Sequence, residues 1–178
     1  TYTPPPDDYW KNGAFNLGVV TGPAAKGPVD IDLDCPEAVF FAPKFLPSTS
    51  AIYGRKSKPA SHYLYRVEDE LVYSTMLDPV TKKTMLEVRA DGGFQSVLPG
   101  SVHESGEVVE WADVPFPDPS VVQVSDLVAA ARSVAVATLL ARYVWLPSRR
   151  NGALLPLSGL FYYLGWSEEQ TVEMIRAV

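Results

Sequence analysis

The sequence predicts an α+β fold, with strands first and helices last. Three observations carry this. Residues 14–111 read as short strands broken by glycine, proline and aspartate turns. Three prolines then crowd Val114-Pro115-Phe116-Pro117-Asp118-Pro119-Ser120, as in a stiff linker. Beyond them, Leu127, Ala131, Val134, Thr138 and Leu139 recur at helical spacing. The expected organisation is a strand-rich domain over 1–118 and a small helical subdomain over 119–178. Residues 1–13 form a proline-rich lead-in.

Within the first part, residues 15–20 and 29–33 are β-like, with Gly22-Pro23 and Gly27-Pro28 as turn signals between them. Residues 36–46 suit a short helix, with Pro36 in its first turn and Glu37 near the positive end of its dipole. Strand-forming composition returns at 61–67, 71–76, 85–89, 94–98 and 108–111. Asp78-Pro79 and Asp91-Gly92-Gly93 supply turns. In the second part, Ser125 is placed to cap a helix over 126–145, and 153–164 reads as a helix closed by Gly165. Ser167-Glu168-Glu169-Gln170 is a capping box that opens a third helix.

Composition bounds the function. A chain of 178 residues can bury a sizeable core. No uninterrupted apolar run reaches the roughly 18 residues of a membrane span, so no membrane partner is expected. Residues 1–8 have neither the basic nor the apolar part of a signal peptide, and their abrupt start suggests that the natural N-terminus lies upstream. A single cysteine, Cys35, excludes an internal disulfide and a Cys-rich zinc site; the cytoplasm is the expected compartment. The net charge of −6 argues against simple nucleic-acid binding. Base is nevertheless concentrated at Arg55-Lys56-Ser57-Lys58 and Arg149-Arg150, and phosphate responds to the local field.

Asp30-Ile31-Asp32-Leu33-Asp34 is the most pointed motif. In a strand its three carboxylates share one face, about 6.6 Å apart along the chain. Two divalent ions about 3.5–4 Å apart would suit such a row. An acidic edge strand in solvent would suit it too. The segment 53–65 reads as a basic loop running into a strand with His62. Arg55, Lys56, Lys58, Ser57, Ser61 and His62 suit a triphosphate, or a solvated loop beside a buried histidine. Glu87 and Arg89 share a strand face in Leu86-Glu87-Val88-Arg89-Ala90-Asp91-Gly92-Gly93. Ser101 and His103 lie in Pro99-Gly100-Ser101-Val102-His103, ahead of Glu110-Trp111.

In order, these elements resemble the primase–polymerase branch of the archaeo-eukaryotic primase superfamily, of phage and plasmid type. The resemblance rests on Gly18-Val19-Val20-Thr21-Gly22-Pro23, the Asp-x-Asp strand followed by Pro36-Glu37, Ser61-His62, Glu87-Val88-Arg89 with Gly92-Gly93, and Pro99-Gly100-Ser101 with His103 before Glu110-Trp111. It covers just over half the chain. The basic Lys-x-Pro segment common in phage members is missing.

The resemblance implies a primase-like catalytic domain of mixed and antiparallel sheets with flanking helices. It implies a DNA primase and DNA polymerase, joining nucleotides from NTPs or dNTPs to a primer on a DNA template in a bacterial host. It makes Asp32, Asp34 and Glu87 the ligands of two Mg²⁺ or Mn²⁺ ions, without zinc. Asp30 becomes an extra acid acting on those ligands from behind. His62 would hold the triphosphate, with Arg55, Lys56, Ser57, Lys58 and Ser61 around it. Arg89, Ser101 and His103 are further candidates for nucleotide contact. Arg132, Arg142, Arg149 and Arg150 are candidates for the template backbone. A helicase in the same parent protein is a further expectation. A metal-dependent nuclease, a nucleotide-sugar transferase and a non-catalytic nucleic-acid-binding module are the alternatives.

Overall fold

The alternation in Val29–Leu33 organises the molecule. Val29, Ile31 and Leu33 turn to one face of the strand, Asp30 and Asp32 to the other, and all five are buried. The computed structural model describes residues 15–91, 93–145 and 150–178. In chain order its strands are β1 (Gly18–Val20), β2 (Val29–Leu33), β3 (Ile52–Arg55), β4 (Lys58–Arg66), β5 (Ser74–Leu77), β6 (Thr84–Arg89), β7 (Gln95–Val97), β8 (Val109–Trp111) and β9 (Ser120–Val121). Its helices are α1 (Pro36–Phe45), α2 (Val124–Leu139), α3 (Arg150–Tyr163) and α4 (Glu168–Ala177). The architecture is mixed α+β, with antiparallel sheets and helices.

The main sheet runs β5-β6-β2-β4-β3-β8, and β9 joins the end of β4 in parallel. β2 is therefore central, which excludes the reading of its carboxylates as a solvated edge. β1 and β7 pair as a separate two-stranded sheet. Ser96 of β7 bonds Asp30 of β2, so this small sheet lies on the acidic face.

The opposite face is covered by helices. Ile31, Leu33, Ala38, Phe41, Leu127, Ala131 and Val134 share one buried cluster with Phe161 and Met174. Each large side chain there contributes about 1.5–3 kcal/mol by leaving water. The cluster spans both sides of the expected division at residue 118.

Two local expectations need correction. The segment read as a basic loop is a hairpin: β3 ends at Arg55, Lys56 and Ser57 make the turn, and β4 starts at Lys58. Its register shifts because Ala60 bulges with a φ of 48°. Gly54 permits the bulge, since a Cβ there would lie 2.4 Å from the Lys58 carbonyl oxygen. Ser125 is not the cap of α2. β9 and the Val122 N–H to Arg66 carbonyl bond fix the entry earlier, so Gln123 precedes the helix and Ser125 lies inside it. Val124–Val144, 21 residues that end in a π-helical turn over Leu140–Val144, contains an 18-residue window of mean hydropathy 1.6 and is long and apolar enough, by length and composition, to cross a membrane, although Asp126, Arg132 and Arg142 interrupt its apolar run. It is 44% buried over that apolar window, and its buried residues pack in the cluster shared with α1. The Ser167 capping box of α4 forms as expected, with Gln170 N–H on the Ser167 hydroxyl and Ser167 N–H on the Gln170 side chain.

One polar clamp ties the π-helical turn after α2 to α1 and to the turn after β5. Arg142 donates to Glu37 at 2.7 and 2.8 Å and to Asp78 at 2.8 Å; Tyr143 donates its hydroxyl to Asp78 at 2.7 Å. Burial would raise the Asp78 carboxyl, but the Thr81 and Val80 N–H groups, Tyr143 and Arg142 together hold it well below the usual carboxylate range. A carboxyl depressed in the native state contributes stability above its unfolded pKa, about 4, and loses it as pH falls towards the native value. Asp78→Asn is therefore expected to lower the melting temperature by several degrees at neutral pH and to flatten the loss of stability below about pH 4. Thermal melts from pH 2 to 7 measure both, and an unchanged acid limb would contradict the clamp.

Candidate functional site

Strand register assembles the site. Glu87 of β6 lies directly opposite Asp32 of β2, Asp32 opposite His62 of β4, His62 opposite Tyr53 of β3, and Tyr53 opposite Trp111 of β8. Residues directly opposite in paired strands present side chains to the same face. Asp34, just past the end of β2, adds a third carboxylate. The carboxylate oxygens of Asp32, Asp34 and Glu87 offer atoms within 4.8 Å of one another. Among the described residues this is the one such group of three. Its donors are all hard oxygens, the chemistry that Mg²⁺ and Mn²⁺ prefer.

Cations interleave these acids. Arg89 donates to Asp32 at 2.6 Å and to Glu87 at 2.9 Å, and Lys58 reaches Asp34 at 2.9 Å and Asp32 at 3.5 Å. Tyr73 donates its hydroxyl to Glu87 at 2.9 Å and stacks on Phe94 at 4.2 Å. Burial raises the Asp32 carboxyl above its ordinary value, and Asp30 adds to this against the pull of His62, Arg89 and Lys58. For His62, burial opposes protonation, but Asp30 and Asp32 outweigh it and raise its pKa.

A cavity of about 280 Å³ opens beside the acids. Its lining includes Asp32, Asp34 and Arg89, then Arg55, Lys58, Ser61, His62 and His103, with Gln95 and Val97 from β7. The Ser61 hydroxyl is fully buried and has no hydrogen-bond partner among the described residues. The His62 ring stacks flat on Tyr53, 4.6 Å between centroids and 5° between planes.

The structure does not bring every candidate here. Lys56 and Ser57 occupy the exposed hairpin turn outside the cavity lining, and Ser57 is tied to Glu107 through its N–H and its hydroxyl. Ser101 is buried away from the cavity, its hydroxyl accepting the Leu17 N–H at 2.8 Å. Arg142 lies outside the cavity lining and is paired with Glu37 and Asp78. Arg132 and Arg150 are exposed. Arg149 lies outside the described residues.

Sequence reasoning missed Tyr73, Ser96, Gln95 and Glu107. Glu107 binds Arg55 at 3.2 Å as well as Ser57, so it braces the hairpin that supplies the cavity's cations. Only long-range pairing brings these residues in.

Residues 7–130 match the family described as bifunctional DNA primase/polymerase, N-terminal. The chain belongs to this family. The primase–polymerase match runs beyond the proline-rich segment into α2, the helix that covers the back of the sheet. A primase–polymerase domain acts on DNA and nucleotides, and the acidic group of this one could hold metal. No curated protein and no solved structure matches the chain significantly.

Proposed function

We propose that this domain is a template-directed nucleotidyltransferase: it joins a nucleotide to a primer 3′-hydroxyl with release of pyrophosphate, in replication of phage or plasmid type. The observation that carries this reading is the single rung Glu87–Asp32–His62, which runs from the carboxylate group into a cavity that Arg55, Lys58, His62 and Arg89 line together with Asp32 and Asp34.

Asp32, Asp34 and Glu87 would hold two divalent ions. When bound, these supply polarisation of the 3′-hydroxyl and neutralisation of charge on the leaving pyrophosphate. Asp32, Asp34 and Glu87 are bonded by two cationic side chains, Lys58 and Arg89, so the group can accept further positive charge. His62, Arg55, Lys58 and the unpartnered Ser61 hydroxyl would receive the triphosphate, and His103 closes the same cavity. Lys58 reaches both ends, since it bonds the acids and lines the cavity. Phosphoryl transfer needs mainly positioning and charge stabilisation, which such groups provide. Exposed Arg132 and Arg150 would meet the template.

Incubation with Mn²⁺, a primed DNA template and labelled dNTPs tests the reading. The expected result is an extended primer and released pyrophosphate. Shortening of a strand, or metal-independent DNA binding with no extension, would overturn it. His62→Ala is expected to weaken dNTP binding about tenfold, the worth of one charge-assisted hydrogen bond, and to leave template binding unchanged. Separate titrations decide, and equal losses for both ligands would count against the triphosphate role.

A further inference from the structure

Asp30 is fully buried on the central strand, where a carboxylate without partners would be strongly disfavoured. It has two partners. The Ser96 hydroxyl from β7 donates to Oδ2 at 2.5 Å, and His62 Nδ1 lies 3.0 Å from the same oxygen and 3.3 Å from Oδ1. A carboxylate only accepts, so the proton in the second contact belongs to Nδ1. The other ring nitrogen, Nε2, then faces away from Asp30, 3.7 Å from Asp32 Oδ1, in a ring that lines the cavity. Tyr53 stacked in parallel limits rotation of the imidazole.

The geometry points to Asp30 as a positioning residue: its carboxylate accepts from Nδ1–H and fixes the His62 ring, so that Nε2 is always the nitrogen presented to the triphosphate, to which it donates once it carries a proton of its own. This rests on the reading of His62 as a triphosphate contact. Asp30 itself lies outside both the group of three carboxylates and the cavity lining. Ser96 extends the chain to the small sheet, since β7 delivers both Ser96 to Asp30 and Gln95 to the cavity. The arrangement parallels histidines elsewhere whose tautomer is set by a hydrogen bond to the nitrogen not in use.

Long-range ¹H–¹⁵N correlation spectra of the wild-type protein test it without any variant of Asp30. The chain has two histidines, and His103→Gln assigns the other ring. The expected result is a protonated Nδ1 on His62 at neutral and alkaline pH; an unprotonated Nδ1 would overturn the proposal. Asp30→Asn keeps the shape and one acceptor oxygen but loses the charge, so it is expected to weaken the tautomer preference. It is also expected to raise the KM for dGTP with Mn²⁺ about tenfold while changing kcat much less. A folded Asp30→Asn protein with wild-type KM would overturn the proposal while a weakened His62→Ala protein left the nucleotide site standing. Unchanged dGTP affinity in His62→Ala would remove the nucleotide reading itself. If Asp30→Asn does not fold, the wild-type spectrum decides.

Discussion

Replacing Asp32 with alanine is expected to abolish nucleotide addition and to leave the fold intact. Asp32 is the centre of the carboxylate group, and both Arg89 and Lys58 reach it. If loss of this ligand removes about 4 kcal/mol of charge stabilisation from the transition state, the rate falls about a thousandfold. Stability should respond differently. Burial raises the Asp32 carboxyl, and an acid whose native pKa is raised costs stability at pH above its unfolded value. Its removal also takes one negative charge from beside Asp30, Asp34 and Glu87. The melting temperature at pH 7 should therefore be unchanged or higher, and the small penalty should vanish as pH falls below about 4. Primer extension and circular dichroism on one preparation test both halves. Wild-type extension by a folded Asp32→Ala protein would sink the nucleotidyltransferase assignment.

The largest expected loss of stability comes from Gly22→Ala. Gly22 has φ 97° and ψ 153°, a conformation essentially confined to glycine. A Cβ there would lie 1.9 Å from the Ala90 carbonyl oxygen and 2.8 Å from the Asp91 Cα. Both are backbone atoms, so neither can swing aside. The neighbouring contacts resist movement too: Gly22 N–H donates to the Pro28 carbonyl, and buried Thr21 donates its N–H to the Phe94 carbonyl. Backbone strain and overpacking together should cost about 3–5 kcal/mol. That is a large share of the roughly 5–15 kcal/mol of an ordinary domain. Because Ala90 follows Arg89, activity should fall along with stability. Denaturant unfolding checks the figure, and a midpoint close to wild type would show that the turn and the Ala90 segment are not packed as described.

Local pattern made much of this legible. Alternation in Val29–Leu33 marked a strand with a carboxylate face, and Pro36-Glu37 marked the helix after it. The ordered motifs drew Asp32, Asp34, Glu87 and His62 together, and the sheet makes them neighbours. What local pattern left hidden has one cause. β3 was hidden because Arg55-Lys56-Ser57-Lys58 looks like a solvated loop, whereas Glu107, fifty residues on in sequence, pins it. Arg142 looked free because Glu37 and Asp78 lie 105 and 64 residues away. Ser101 looked like a phosphate contact, and nothing near it in sequence announced the Leu17 backbone. Asp30 and Asp32 are chemically alike two positions apart; their partners set them apart, Ser96 and His62 Nδ1 on Asp30, Arg89 and Lys58 on Asp32.

The rung from Glu87 through Asp32 to His62 also fixes a ruler. Neighbouring strands stand about 4.8 Å apart, so the spacing of these three side chains is set by backbone ladders and not by a loop that must close. Strand pairing is binary in a second sense: a slip of β2 by one residue would turn every one of its carboxylates to the helix side and every apolar side chain to the cavity. A misregistered molecule would thus be inert, with no graded, half-active forms. The fraction of catalytically competent molecules, counted by active-site titration, should therefore equal the fraction whose central strand is correctly zipped.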